Sequence, residues 1–221
     1  MAAAAALTRG GEDKSRRPRD ILLYIPNIIG YVRLILFFIS IYLIINKCFF
    51  GILIYSLAAY LDSWDGYYAR KYNQTTLFGS VFDMVLDRTS TIGLQIAILT
   101  FYPSLALPFV FLITLDIMSH WYSTSLGFII KSSHKELAYG SRLMEIYYSN
   151  KNVLFVLCLM NEMTYISLAA YNITTNAILK KFSIVFLVFS FPLMVIKNVI
   201  NVMQLVASVR VFMEKVDSKR D

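Results

Sequence analysis

The sequence predicts an all-α integral membrane protein with six transmembrane helices, and three observations carry that prediction: the composition, the length of the apolar runs and the placement of the charges. Of 221 residues, 57% are hydrophobic, 15% aromatic and only 16% charged, whereas a water-soluble domain carries about 25% charge. Apolar runs recur at about 28–46, 48–61, 89–102, 105–130, 152–172 and 182–209, and a bilayer-crossing helix needs roughly 20 such residues. An outer-membrane barrel is disfavoured, because its strands alternate polar and apolar positions. The formal net charge is +7, so basic residues gather at the ends of the spans, which suits a cytosolic leaflet and an anionic substrate.

Taken in order, residues 1–20 form a small, polar, basic stretch in which Arg9, Lys14, Arg16, Arg17 and Arg19 face Glu12, Asp13 and Asp20. Charges follow the initial alanine run where a signal peptide would have an apolar core, so a disordered cytosolic tail is expected. Pro26 precedes the first span, and Pro103 and Pro108 mark a tight turn between the third and fourth. The second and third runs are short for spans and flank the acid-rich stretch from Leu61 to Arg88. If both cross the bilayer, their helices continue into that stretch and carry carboxylates to the membrane surface; a four-helix layout with a surface loop is the alternative. Residues 21–212 are expected to form one six-helix catalytic domain, and 213–221 a cytosolic tail. Cys48 and Cys158 lie in apolar runs and imply no disulfide framework.

Lysine and arginine usage tests this layout. With the N-terminus inside, the cytosolic set is the tail, Arg70, Lys71, Arg88, Lys131, Lys135, Arg142, Lys151, Arg210, Lys215, Lys219 and Arg220, while Lys47, Lys180 and Lys181 fall on the opposite side. This asymmetry places both termini and the acidic stretch in the cytosol.

That stretch carries the chemistry. Asp62, Asp65, Gly66 and Ala69 fall within an arc of roughly 100° on one helix, and Gly79, Asp83 and Asp87 within about 80° on the next. Four ionised carboxylates near a membrane repel one another, and divalent cations relieve that cost. Hard oxygen donors select Mg²⁺ or Mn²⁺, and carboxylates from two helices can hold two ions. Gly66, Ala69 and Gly79 would leave room for something bulky beside them. Arg70 adds a planar fork suited to phosphate. Metal, phosphate-binding arginine and open cleft together suggest phosphoryl transfer; the competing reading is a set of solvated acids at helix ends.

The spacing Asp65-Gly66-x₂-Ala69-Arg70-x₈-Gly79-x₃-Asp83-x₃-Asp87, with Asp62 three residues ahead, resembles the signature of the CDP-alcohol phosphotransferases, and every fixed position is met. The resemblance implies a six-helix membrane enzyme, commonly a homodimer, that displaces CMP from a CDP-linked lipid or alcohol. It implies that Asp62, Asp65, Asp83 and Asp87 bind two metal ions, Mg²⁺ or Mn²⁺, and that Asp87 is also the general base. Asn27, Asp62, Gly66, Ala69, Arg70 and Gly79 would bind the CDP-lipid.

Further segments are similar to the eukaryotic, inositol-using members of that family: Ile25-Pro26-Asn27-Ile28-Ile29-Gly30-Tyr31-Val32-Arg33, Asp87-Arg88-Thr89-Ser90-Thr91, Asp116-x₂-Ser119-His120-Trp121, Ile146-Tyr147-Tyr148 and Asn161-Glu162. They imply CDP-diacylglycerol and myo-inositol as substrates, an endoplasmic reticulum membrane, and no nucleic-acid partner. Arg88, Ser119, His120 and Arg142 are the candidate acceptor-binding residues. The simpler readings are that Asn27 caps the first helix, that Arg88 anchors at the interface, and that Asp116, Ser119 and His120 merely knit helices. Arg33, about a turn into an apolar span, is expected to contact a phosphate or a motif acid. One departure is plain: Glu145 stands where the relatives carry an arginine, with Arg142 one turn earlier. Other acceptors such as glycerol 3-phosphate, serine or choline keep the same chemistry. A cation transporter, or an inactive homologue kept for assembly, is the alternative of another class.

Overall fold

A computed structural model describes residues 18–130 and 142–215, with the side chains of Pro18, Ile129, Ile130, Arg142, Leu143, Glu145, Tyr148, Lys151 and Lys215 excepted. Most of the basic tail, Lys131, Lys135, Lys219 and Arg220 therefore lie outside the described residues. The described chain is helical and contains no strand: α1 (Pro18–Leu22), α2 (Ile25–Ile45), α3 (Phe50–Lys71), α4 (Leu77–Leu99), a 3₁₀ turn (Pro103–Leu105), α5 (Ala106–Ile130), α6 (Arg142–Ser149), α7 (Lys151–Ile173) and α8 (Ala177–Lys215). Helix α1 begins inside the stretch expected to be tail.

The protein is membrane-integral. Four helical segments, Ile25–Ile45, Pro103–Phe128, Asn152–Ile173 and Ala177–Glu214, are long and apolar enough to cross a bilayer. Helices α3 and α4 have 22 and 23 residues, also sufficient in length, but each is diluted by its acids. Both continue unbroken past their short apolar runs into the acidic stretch. Large apolar side chains face outward on the long helices, with Phe38, Tyr42, Leu107, Phe111 and Phe189 all more than 60% exposed. Such a surface needs lipid as its solvent.

The chain forms two compact units. The first comprises residues up to Phe101 together with Ala169–Lys180. Its turns are set by local backbone chemistry. Helix α2 ends with Lys47 in the left-handed region (φ 56°), where Lys47 N donates to Ile44 O and Cys48 N to Leu43 O. Helix α3 repeats the device: Asn73 has φ 53°, with Asn73 N donating to Arg70 O and Gln74 N to Ala69 O. Both are Schellman ends, which satisfy the last carbonyls and reverse the chain. Thr76 then caps α4, its hydroxyl accepting from Gly79 N at 3.0 Å, and Gln74 Oε1 accepts from Ile25 N at 3.1 Å. A short, tightly held loop thus sets α3 against α4 and ties both to the start of α2.

Helices α2 and α4 pack closely through two small-for-large exchanges. A Cβ on Gly30 would lie 2.6 Å from the Phe82 ring, and a Cβ on Gly93 would overlap the ring of Phe37. Each glycine receives an aromatic ring from the other helix. Ile44, Leu94, Ala97 and Ile98 are 1% exposed or less, so the core of this unit lies at the end away from the acids. On α3, Tyr60, Trp64, Tyr68 and Tyr72 form a ladder one turn apart with ring centroids 6.1, 5.9 and 5.7 Å apart. Lys71 Nζ lies 5.6–6.0 Å from the rings of Tyr67, Tyr68 and Tyr72.

The second unit comprises Tyr102–Leu168 together with residues from Lys181 onward. Tyr147, Leu157 and Ile200 are buried together, with Val153, Leu154 and Leu193 against them. Helix α8 has 39 residues and contains Pro192, giving a length of about 58 Å, nearly twice a bilayer core. Thr164 Oγ1 donates to Ser190 Oγ at 2.9 Å, a buried hydroxyl pair joining α7 to α8.

Candidate active site

The first unit gathers the acids of α3 and α4 around one arginine. Asp62 and Asp65 are three residues apart on α3, and Asp83 and Asp87 four apart on α4, so each pair shares a face. The turn at Asn73 brings the two faces together. From α2, Arg33 reaches all four: Nη1 lies 2.5 Å from Asp65 Oδ2 and 3.0 Å from Asp83 Oδ1, and Nη2 lies 2.6 Å from Asp62 Oδ1 and 2.8 Å from Asp87 Oδ1. Each terminal nitrogen therefore takes one acid from each helix. The sequence expectation that Arg33 meets a phosphate or a motif acid resolves to the acids.

The cluster has an open side and a closed side. Arg33 is 6% exposed and the Asp65 side chain 9%, whereas those of Asp62, Asp83 and Asp87 are 41%, 39% and 33% exposed. One oxygen from each of Asp62, Asp83 and Asp87 lies within 4.8 Å of the other two. Neighbouring ligands of a Mg²⁺-sized ion bound at about 2.1 Å stand roughly 3.0 Å apart and opposite ones roughly 4.2 Å, so the three oxygens must draw closer together to share one ion. The donors are hard oxygens on two helices, and four carboxylates exceed the charge of one guanidinium, so the residues present fit a divalent cation.

The remaining motif positions surround this cluster differently from the sequence expectation. Asn27 does not cap α2: the helix starts at Ile25 with Tyr24 at its N-cap, which leaves Asn27 inside. Its Nδ2 instead donates to Ile21 O at 2.6 Å, holding α1 to α2. A Cβ on Gly79 would lie 3.1 Å from both Asn27 Oδ1 and Thr76 Oγ1, so the space beside Gly79 is filled by the chain itself and is not an open cleft. Beside Gly66 the nearest atom is Arg70 Nη1, 3.4 Å from a Cβ there; the exposed Arg70 folds its guanidinium back over the glycine. Ala69 spends its carbonyl on the Schellman turn. Arg88 is half-buried on α4 beside Asp87.

In the second unit, Asp116 is buried and paired with a residue the sequence reading passed over. Lys197 Nζ lies 2.9 Å from Asp116 Oδ1, and Asn201 Nδ2 donates to the same oxygen at 3.3 Å. The signal was present: a lone lysine inside the last apolar run needs an intramembrane partner, and Asp116 is the one acid in its own run. Ser119 is fully buried, and its hydroxyl donates to Asp116 O at 3.1 Å. His120 Nδ1 lies 2.8 Å from that carbonyl and 3.6 Å from Asp116 Oδ1. The ion pair joins α5 to α8, as the helix-knitting reading expects. Of Arg142 and Glu145 only the helical backbone is described; their side chains lie outside the described residues.

The family model for CDP-alcohol phosphatidyltransferases matches residues 23–213. The chain belongs to this family. The CDP-alcohol phosphatidyltransferase match spans α2 to α8 and contains every acid of the Arg33 cluster. The CDP-diacylglycerol–inositol 3-phosphatidyltransferase of Saccharomyces cerevisiae is 40% identical over 190 residues, covering 84% of each chain. That of Candida albicans is 36% identical over 189 residues, covering 85% of this chain and 80% of the relative. That of Homo sapiens is 32% identical over 195 residues, covering 86% of this chain and 92% of the relative. No solved structure matches. Among transferases of this family, the acid spacing seen in the sequence is thus accompanied by similarity along nearly the whole chain.

Proposed function

We propose that this CDP-alcohol phosphatidyltransferase transfers the phosphatidyl group of CDP-diacylglycerol to myo-inositol and releases CMP. The observation that carries the reading is the convergence of Asp62, Asp65, Asp83 and Asp87 from two helices, in a chain whose relatives bear that enzyme's name. Asp62, Asp83 and Asp87, with Asp65 behind them, hold divalent cations, Mg²⁺ or Mn²⁺. The ions supply charge neutralisation for the diphosphate and for the departing CMP. Asp87 accepts the proton of the inositol hydroxyl. The hydroxyl oxygen bonds to the phosphatidyl phosphorus, the bond from that phosphorus to the bridging oxygen breaks, and its electron pair leaves with CMP. Arg70, exposed at the end of α3, swings from Gly66 to meet the diphosphate. Asn27 and Gly79 bring α2 close to α4 beside the nucleotide.

Inositol is neutral and rich in hydroxyls, so its recognition needs hydrogen-bonding groups; Arg88 in the first unit and, separately, Ser119, His120 and Arg142 in the second are the candidates. The buried Ser119 hydroxyl already donates to its own helix, at Asp116 O. Six helices cross the endoplasmic reticulum membrane, with both termini and the acids toward the cytosol, and two copies form a homodimer. The test is Asp87→Asn in purified protein supplied with CDP-diacylglycerol, labelled inositol and Mn²⁺. Turnover is expected to fall by at least about a thousandfold, as general-base and ligand losses combine; near-normal turnover removes the base assignment. Competition by glycerol 3-phosphate or serine against labelled inositol in the same assay identifies the acceptor.

A further inference from the structure

We propose that Arg33 is a resident cation of the acidic site: without metal it holds the four carboxylates in register, and metal loading displaces its Nη2 arm from Asp62 and Asp87. This inference rests on the reading of the site as a divalent-cation centre.

The geometry behind it is specific. A guanidinium has five N–H donors in a rigid plane, and here three of them donate to Asp65, Asp83 and Asp87, while Asp62 is held as an ion pair 2.6 Å from Nη2. Because Nη1 takes Asp65 and Asp83 while Nη2 takes Asp62 and Asp87, the fork clasps α3 to α4 twice. Without it, four carboxylates would face one another with no counter-charge from α2, an arrangement that like-charge repulsion opposes. Arg33 therefore does in the metal-free chain what the metal does in the loaded one.

The two halves of the fork differ in how easily they yield. Nη1 is anchored on Asp65, the one acid on the closed side. Nη2 lies between Asp62 and Asp87, two of the three residues whose oxygens come within 4.8 Å of one another. An ion about 2.1 Å from those carboxylates meets Nη2 at close range, with a positive charge on each. Concerted turns of the arginine's side-chain torsions can pivot the rigid guanidinium about Nη1, so that Nη2 leaves Asp62 and Asp87 while Nη1 keeps its contact with Asp65. Arg33 is thus a positioning residue whose own attraction for the acids must be overcome before the site fills, and the affinity for metal is reduced accordingly.

Mn²⁺ binding to the purified full-length protein, measured by the loss of free-ion paramagnetic resonance signal, tests this without reference to turnover. Arg33→Gln is expected to bind Mn²⁺ at least about tenfold more tightly than the parent, since a unit charge a few ångströms from a divalent ion is removed. The same variant without metal is expected to unfold at a lower temperature, with Mn²⁺ raising that temperature by more than it does in the parent. A residue that merely packed the helices would lose affinity along with stability; weaker or equal Mn²⁺ binding in folded Arg33→Gln overturns the proposal. If Arg33→Gln does not fold, Arg33→Lys decides, because an ammonium keeps the charge but cannot straddle both acid pairs. Tighter binding than the parent supports displacement, and equal or weaker binding overturns it. Failure of the parent itself to bind Mn²⁺ brings down the metal-centre reading and this inference together, whereas binding by the parent with affinity unchanged in the variants removes this inference alone.

Discussion

Replacing Lys197 by methionine keeps the length and apolar stem of the side chain and removes only its charge, so it isolates the ion pair with Asp116. The nitrogen and oxygen are 2.9 Å apart, with the side chains 4% and 9% exposed. At an effective dielectric of about 20, two unit charges at that separation attract by roughly 6 kcal/mol before desolvation is counted. Desolvation offsets much of this while the pair is intact, but the single substitution leaves the buried carboxylate beside Asn201 and His120 without the lysine's charge. Breaking such a pair from one side costs about 3–5 kcal/mol. For a chain of this size, each kcal/mol shifts the melting temperature by about 2–4 °C, so a drop of about 10 °C is expected. The assay is the folded fraction surviving a temperature series in detergent, read by size-exclusion fluorescence. Asp116→Asn should show a loss of the same order, and Lys197→Met with Asp116→Leu should recover at least about 2 kcal/mol of the summed cost, the coupling of residues in contact. Single variants melting within about 1 °C of the parent, or a double variant showing the plain sum of the two losses, would refute the reasoning.

Gly51 and Gly127 make a matched pair. A Cβ on Gly51 would lie 2.7 Å from the Ile44 backbone nitrogen, while one on Gly127 would meet nothing within 4 Å among the described residues. Gly51→Ala should therefore destabilise by about 1–3 kcal/mol through overpacking against backbone, and Gly127→Ala should stabilise by about 0.5–1 kcal/mol through helix propensity; thermal melts of both variants check the contrast. Thr76→Ala removes the hydroxyl that accepts from Gly79 N at 3.0 Å and should cost about 1 kcal/mol. Thr76→Ser should keep most of that stability in the same melts, because the capping oxygen remains.

The apolar runs announced α2, α5, α7 and α8 because a bilayer demands length and greasiness that composition displays directly. They were less informative for α3 and α4, whose acidic faces are countered by Arg33 from α2. The phase of Asp62, Asp65, Asp83 and Asp87 was legible from spacing alone. Their common partner was legible only as a charge out of place, since Arg33 lies 32, 50 and 54 positions from Asp65, Asp83 and Asp87 and local periodicity carries no such distance. Lys197 lies inside a span, where a count of charges by loop carries no information about it. Asn27 misled because the residues ahead of α2 fold into α1 and present the Ile21 carbonyl, which no capping rule foresees. Gly79 looked like vacant space for a ligand, yet it is space for Asn27. A missing side chain in a sequence does not say which neighbour takes its place.

The aromatic ladder on α3 has a bearing on where chemistry takes place in the third dimension. Trp64 is next to Asp65 and Tyr68 two residues before Arg70, so the turns that carry the acids also carry amphipathic rings and the tyrosine-cradled Lys71. Indole and phenol groups settle where hydrocarbon gives way to headgroups, and lysine extends outward from there. In the proposed six-helix layout, the ladder would set the depth at which α3 floats. That depth would be the layer occupied by the phosphates of a lipid, so the diphosphate of the proposed substrate, arriving laterally within one leaflet, would reach the carboxylates at its own level, without leaving the sheet of headgroups in which it travels.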